Sequence, residues 1–298
     1  MKKVFILTTC MPGKTSPSLK YFKKAIGKLN IKLKIIFADQ CHLEIYNKKL
    51  TIFENNVPLE GIKKILFIKT LSSSSNVFHK SLLHQLKFAG VIVINDYDGT
   101  VITRDQFHTL QVLAIHKIPT PKSFLLGSTD QIDNIIKHLG KPPYITKILD
   151  SRQGRGVFIV ESKRSLRSLA STIVGNKDFE PLLIQEYIPE AKGKDLRVFV
   201  IGDKIVAAME RKAMRRGEFR SNFKLGGTVN KIDLTEEEKE MALKATKICG
   251  LYISGIDIIR TKDGPKIIEV NSSPGMKGIM QATGVDIPAE ILKYSINE

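Results

Sequence analysis

The chain has few cysteines and no long apolar run, and each lack removes a class of function. Cys10, Cys41 and Cys249 are odd in number and far apart, with no histidine or cysteine at metal-like spacing. They are expected to be inert reduced thiols. The six histidines are scattered and build no nucleophile–base constellation. No apolar stretch approaches the roughly 20 residues that span a bilayer. The opening Met1 to Cys10 superficially resembles a signal or lipoprotein start, yet its apolar core is shorter than the about 7–15 residues of a signal h-region. A first buried β-strand is expected there, in a cytoplasmic protein. Arginine is absent before Arg104, and 9 of the 11 lie between Arg152 and Arg220. Where lysine is the default cation, such arginines point to a need for a rigid fork that grips phosphate or carboxylate. Acids are scarce in residues 1–90, where 16 lysines face four carboxylates, a net +12 out of the chain's +17. That charge suits an acidic partner. Without aromatics interleaved for base stacking, specific nucleic-acid binding is not expected. Internal repeats and low-complexity tails are also missing.

At 298 residues and 42% hydrophobic, the chain can bury two or three packed modules. Residues 1–98 alternate apolar strands and helices: strands over 4–7, 31–37, 65–68 and 91–95, helices over 18–29 and 78–89. That order predicts a mainly parallel sheet. Asp96-Tyr97-Asp98-Gly99 reads as a break, followed by a helix over 104–116 and the linker Pro119-Thr120-Pro121. A smaller module, within 99–184, has strands over 123–126, 144–149, 157–160 and 182–187 and helices over 129–138 and 165–174. The last module, 185–298, opens with a hairpin over 196–201 and 204–210 and continues with a helix over 235–249. Thr235 and Glu238 stand at capping-box spacing there. A second hairpin and a C-terminal helix follow.

That second hairpin carries the strongest chemistry. Gly255-Ile256-Asp257-Ile258-Ile259 and Lys266-Ile267-Ile268-Glu269-Val270-Asn271 flank an Asp-Gly turn signal. If Arg260 pairs with Lys266, Asp257 falls directly opposite Glu269, and Asn271 shares its face while Ile268 and Val270 point away. Two opposed carboxylates about 5 Å apart at Cβ repel, whereas a hard cation between them reverses the sign, as magnesium does with oxygen ligands and substrate phosphates. Taken alone, the pattern also fits two exposed acids on a surface hairpin. Elsewhere, Lys147 ends an apolar strand before Ser151-Arg152-Gln153-Gly154-Arg155-Gly156, a glycine loop that would close over phosphates through backbone N–H groups. Gln185-Glu186-Tyr187-Ile188 ends a strand at a hinge where backbone groups would meet a purine edge. Asp195 and Arg197 share one strand face. The basic run from Arg211 to Arg220 reads as a solvated loop, or as cations that stabilise a transferring phosphoryl group.

In this order the motifs resemble the ATP-grasp superfamily, most closely the RimK-type amino-acid ligases, over roughly residues 85–290. Gln185 to Arg197 looks like the family's hinge-and-ribose segment. Phe219-Arg220-Ser221-Asn222 with Gly226-Gly227 resembles its substrate loop, and Gly255-Ile256-Asp257 with Glu269-Val270-Asn271-Ser272-Ser273-Pro274-Gly275 its metal-binding end. The resemblance implies an α/β ATP-grasp fold with an N-terminal Rossmann-like (pre-ATP-grasp) domain, and an ATP-dependent carboxylate–amine ligase working through an acyl phosphate. It implies Lys147, Gln153, Gly154 and Gly156 at the ATP phosphates, Gln185, Glu186, Tyr187 and Ile188 at the adenine, and Asp195 at the ribose. Arg211, Arg220, Ser221 and Asn222 would hold the acyl phosphate, nucleotide and incoming substrate. Asp257, Glu269 and Asn271 would bind Mg2+ (or Mn2+), as two ions. Expected partners are ATP, glutamate as amine donor, and an acidic peptide, protein C-terminus or carboxylated coenzyme as acceptor, with no membrane and a homo-oligomer left open. A small-metabolite ligase of the glutathione-synthetase or dipeptide-ligase type and a non-catalytic nucleotide-binding regulator are the alternatives. The chain departs from the family at Gln106, where a nucleotide-contacting lysine is usual, and at Ser151 and Arg155 in the glycine loop.

Overall fold

The computed structural model describes residues 2–10, 13, 16–68, 77–149, 156–174, 181–191, 193–213 and 227–297. The first elements are β1 (Lys2–Thr8), α1 (Pro17–Ile26), β2 (Ile31–Phe37), β3 (Cys41–Tyr46), β4 (Lys49–Glu54), β5 (Val57–Pro58), β6 (Lys64–Ile68), α2 (Val77–Phe88) and β7 (Ile92–Ile94). β2, β1, β6 and β7 form a parallel sheet in that order. Val4 and Ile6 enter one core and Leu7 the opposite one, so β1 is apolar on both faces, as a doubly covered parallel strand must be. Ser16 caps α1 by accepting from the Leu19 N–H, and Pro17 fills a first-turn position that needs no donor.

The antiparallel β3–β4–β5 sheet was not legible in the periodicity. Its turns, Asn47-Lys48 and Asn55-Asn56, all have positive φ, between 46° and 63°. Two such residues make the tight hairpin turn that matches strand twist. Asparagine was the available signal, but glycine, its usual partner, is missing.

α3 (Tyr97–Arg104) occupies the stretch expected to break the pattern. The Asp96 side chain accepts from the Gly99 N–H and caps the helix instead. Gly99 is required for another reason: a Cβ there would lie 2.5 Å from the Gly250 carbonyl oxygen. Next come α4 (Gln106–Ile115), β8 (Ser123–Leu126), α5 (Ile132–Leu139), β9 (Tyr144–Ile148), β10 (Val157–Val160), α6 (Lys163–Val174) and β11 (Leu182–Glu186). Strands β10-β9-β11-β8 form a small antiparallel sheet with α5 and α6 packed on one face.

The remaining elements are β12 (Lys194–Ile201), β13 (Lys204–Lys212), β14 (Thr228–Lys231), α7 (Glu236–Ile248), β15 (Ile253–Thr261), β16 (Gly264–Asn271), α8 (Lys277–Thr283) and α9 (Ile287–Asn297). The expected capping box at Thr235 and Glu238 is present. The five strands lie in the order β14-β13-β12-β15-β16. One face of this sheet packs Val198, Ile256 and Val270 against α7 and Leu113 of α4. Phe199, Ile201 and Ile253 on the other face share a core with Val4, Leu19 and Leu292. Packing therefore cuts across the expected segments: the start of 99–184 packs with the C-terminal sheet, and the end of 185–298 covers the N-terminal one. Asn95 fastens the two sheets. Its amide donates to Ile253 O (2.6 Å) and Ser272 O (2.8 Å) and accepts from the N–H groups of Tyr252 (2.7 Å) and Ile253 (2.8 Å).

Candidate active site

Asp257 does face Glu269, but not through the expected register. Arg260 pairs with Pro265 and Ile259 with Lys266, so the hairpin is one residue tighter than an Arg260–Lys266 pairing requires. A bulge at Ile268 absorbs the difference and restores Asp257 opposite Glu269 and Gly255 opposite Asn271. Such an extra residue bends the strand and re-aims its side chains.

Along β12 and β15 the face that begins as apolar core at Ile201 and Ile253 becomes charged at Arg197, Asp195 and Asp257. Arg197 lies directly opposite Asp257, and Asp195 opposite Arg211. The Arg197 guanidinium donates through both Nε and an Nη to the Asp257 carboxylate. Arg211 bridges Asp195 (2.5 and 2.7 Å) and Asp257 (2.8 Å). All four side chains are at most about a tenth exposed. Burial opposes ionisation of Asp257, but the two guanidinia hold its carboxyl below the usual carboxylate range. Burial also works against the charge on Arg211, and Asp257 and Asp195 more than offset it.

Glu269 is different. Its side chain is half-buried and makes no hydrogen bond or ion pair among the described residues, and burial, then the charge of Asp257, push its pKa up. Lys147, which pairs with Val157 and Leu183 in the small sheet, is its counterpart. Burial lowers its pKa while Glu269 and Asp257 pull it partly back up, and among the described residues no side-chain partner holds its ammonium. Asn271 donates to Gly255 O (3.3 Å), which leaves its amide oxygen as an acceptor. The two carboxylates and the amide form an all-oxygen donor set that suits magnesium. Among the described residues no cluster of three or more His, Cys, Asp and Glu suggests another metal centre.

Gly255 makes room for this arrangement. A Cβ there would stand 2.6 Å from Pro274 Cβ and 3.1 Å from Arg197 Cδ. Gly255→Ala is expected to displace the Arg197 side chain or the Pro274 turn, at about 1–3 kcal/mol, read as a lower midpoint in urea unfolding. The hinge is tied as well. Glu186 accepts from Lys266 Nζ (2.7 Å) and from the Lys122 N–H (2.9 Å), and Gln185 is buried and donates to Ser123 Oγ (2.7 Å). Burial raises the Glu186 pKa, but Lys266 and the Lys122 N–H bring it below the ordinary value. Tyr187 and Ile188 follow, half-buried. Gly156, just before β10, has φ +80° and its carbonyl accepts from the Ile148 N–H. Gln106 and Glu269 line one crevice between α4 and β16.

Asp195, expected at a ribose, and Arg211, expected at an acyl phosphate, are thus joined in a buried ion lattice. Arg197 and Lys266 had no assigned role, although Asp195-Leu196-Arg197 placed Arg197 on the Asp195 face. Gln153, Gly154, Arg220, Ser221 and Asn222 lie outside the described residues. Burial pushes the thiols of Cys41 and Cys249 up to about 11, and among the described residues no helix is long and apolar enough to cross a membrane.

Residues 103–295 match the model of the RimK-like ATP-grasp domain. The chain is 35% identical over 255 residues to a probable alpha-L-glutamate ligase of Nitrosococcus oceani, covering 86% of this chain and 83% of that protein. A probable alpha-L-glutamate ligase of Coxiella burnetii is 35% identical over 292 residues, 98% of this chain and 94% of the other. Among solved structures, the ATP-grasp ligase PsnB complexed with a phosphomimetic variant of its minimal precursor, Mg and ADP superposes with a TM-score of 0.74 at 16% identity, covering 99% of this chain and 98% of that one. The ordered motifs, the four-sheet architecture and the extent of these matches together mean that the chain belongs to the RimK-like ATP-grasp family of ATP-dependent carbon–nitrogen ligases.

Proposed function

We propose that this ligase joins glutamate to the C-terminal carboxylate of an acidic peptide or protein, or to a carboxylated coenzyme tail, in the cytoplasm. ATP would transfer its γ-phosphoryl group to the acceptor carboxylate, releasing ADP. The neutral glutamate amine then attacks the acyl carbon, the carbon–oxygen bond to phosphate breaks, the nitrogen gives up one proton to solvent or phosphate and keeps the other, and an amide and phosphate remain. Every group assigned here binds or orients, and none forms a covalent intermediate. Asp257, Glu269 and Asn271 would hold one or two Mg2+ ions, with Mn2+ a substitute, and the metal would supply charge neutralisation at the phosphates. Lys147 supplies a second positive charge from the opposite sheet. The Gln185–Ile188 hinge would meet the adenine and Asp195 the ribose, while Arg211 and Arg220 with Ser221 and Asn222 would meet the transferred phosphoryl group and substrate.

The observation that carries the reading is that Glu269 and Lys147, on strands of two different sheets, influence each other electrostatically while neither side chain has a hydrogen-bond or ion-pair partner among the described residues. Groups of opposite sign left without partners inside a fold are costly, and a metal–phosphate ligand satisfies both. The names of the relatives support glutamate, and the +12 N-terminal third supports an acidic acceptor. The test is magnesium-dependent ADP release with glutamate and a pool of acidic peptides. Glutamate-stimulated release with a matching mass increase on an acceptor supports the reading, and release driven only by a free small metabolite overturns the acceptor class. Gln106→Lys is expected to tighten ATP binding about tenfold, since a cation at that crevice adds an attraction of about 1–2 kcal/mol to the phosphates. Calorimetric titration of ATP reads it.

A further inference from the structure

The first 38 residues contain nine lysines and no aspartate or glutamate. A lysine-rich composition accounts for the lysines, but it does not account for the missing acids. Residues 91–298 of the same chain carry 31 lysines and arginines against 26 acids. In the fold, much of this charge gathers on one helix. α1 buries Leu19, Phe22 and Ala25 and leaves Lys20, Lys23 and Lys24 exposed, with Lys28 exposed just past its end. Lys20, Lys23 and Lys24 follow the helical repeat, so they form one stripe, and like charges three or four apart destabilise the helix that carries them. Lys28 pairs with Asp286 at 2.7 Å, and Lys24 adds to the field on Asp286. Among the described residues no acid forms an ion pair with Lys20, Lys23 or Lys24.

We propose that the Lys20–Lys23–Lys24 stripe of α1 is a docking track for a carboxylate-rich peptide segment, the acidic tail of the acceptor or of its glutamate-extended product. This rests on the glutamate-ligase reading and adds the surface that engages the tail. The stripe from Lys20 to Lys24 rises about 6 Å along the helix at 1.5 Å per residue. An extended peptide covers that distance with about two residues. α1 connects the end of β1 to the start of the parallel β2, so the stripe runs along the flank of the N-terminal sheet. A membrane partner fits poorly because the apolar face of α1 is already buried in the core. Nucleic acid fits poorly because no arginine precedes Arg104 to fork onto phosphate and no exposed aromatic lies on the helix for stacking.

The test uses the full chain and two triple variants, Lys20→Gln/Lys23→Gln/Lys24→Gln and the corresponding glutamate set, each first checked for an unchanged melting temperature. A fluorescent hexaglutamate peptide is titrated at several salt concentrations, with ATP titrated in parallel. The wild type is expected to bind it with an affinity that falls as salt rises. The glutamine set should bind about tenfold more weakly, the glutamate set more weakly still, and both should keep ATP affinity within about twofold. Equal hexaglutamate affinity in wild type and variants overturns the track, as does tighter wild-type binding of a single-stranded oligonucleotide or of phosphatidylserine vesicles. Glutamate-dependent ADP release is measured separately. Turnover with an unchanged acceptor KM in the variants sinks the track and leaves the ligase reading standing. Hexaglutamate binding without turnover on any acceptor sinks the ligase reading and leaves the surface.

Discussion

Glu269→Gln is expected to abolish magnesium-dependent ADP release, by at least about 100-fold, while making the metal-free protein more stable. Among the described residues the Glu269 side chain has no hydrogen-bond or ion-pair partner, and it faces Asp257 across the hairpin, where opposed like charges cost about 0.2–1 kcal/mol. Removing the charge relieves that repulsion, a rise of about 1–3 °C in melting temperature at about 2–4 °C per kcal/mol. The sign follows from the raised pKa. A carboxyl that binds its proton more tightly folded than unfolded works against folding while ionised, and the penalty disappears as pH falls through the folded value. The advantage of the variant should therefore be largest at neutral pH and fade on acidification. With magnesium and ATP present the order should reverse, because only the wild type gains from ligand binding. A lower melting temperature in the variant without metal would give Glu269 a structural role and remove the metal-site assignment.

Asp257→Asn should behave in the opposite way. The side chain is 2% exposed and receives both guanidinia. Neutralising it leaves Arg197 without its carboxylate and Arg211 with one of its two. Breaking a buried pair from one side costs about 3–5 kcal/mol, a fall of about 10 °C in melting temperature. The lowered pKa sets the pH dependence: wild-type stability from this group is present above the unfolded value of about 3.9 and is lost as pH falls through the folded one. The gap between wild type and variant should thus hold across neutral pH and close only in strong acid. Differential scanning calorimetry of both variants across pH distinguishes the two carboxylates, which a shared role as metal ligands alone would not.

Why Asp257 and Glu269 differ was not legible locally. The hairpin was, because alternating apolar residues around Asp-Gly encode strand, turn and face within about 20 residues. Even there the pairing came out right through two offsetting departures, a tighter turn and the Ile268 bulge. The helix at Tyr97 was missed because Asp and Gly read as punctuation when they serve as cap and close-contact residues. The β3–β5 sheet was missed because asparagine turns without glycine carry a weak signal.

The sequence by itself determined the order of strands and helices outside β3–β5 and the Tyr97 helix, the family, and the hairpin that sets Asp257 against Glu269. Each of these depends on neighbours in the chain or on motifs in sequence order. Only the tertiary structure decided which carboxylate is satisfied. Arg197 and Asp257 are 60 residues apart and meet because β12 and β15 are adjacent strands. Lys147 enters the same electrostatic field from a different sheet. Charge balance in a buried site depends on distance through space, and strand order sets that distance where local periodicity cannot.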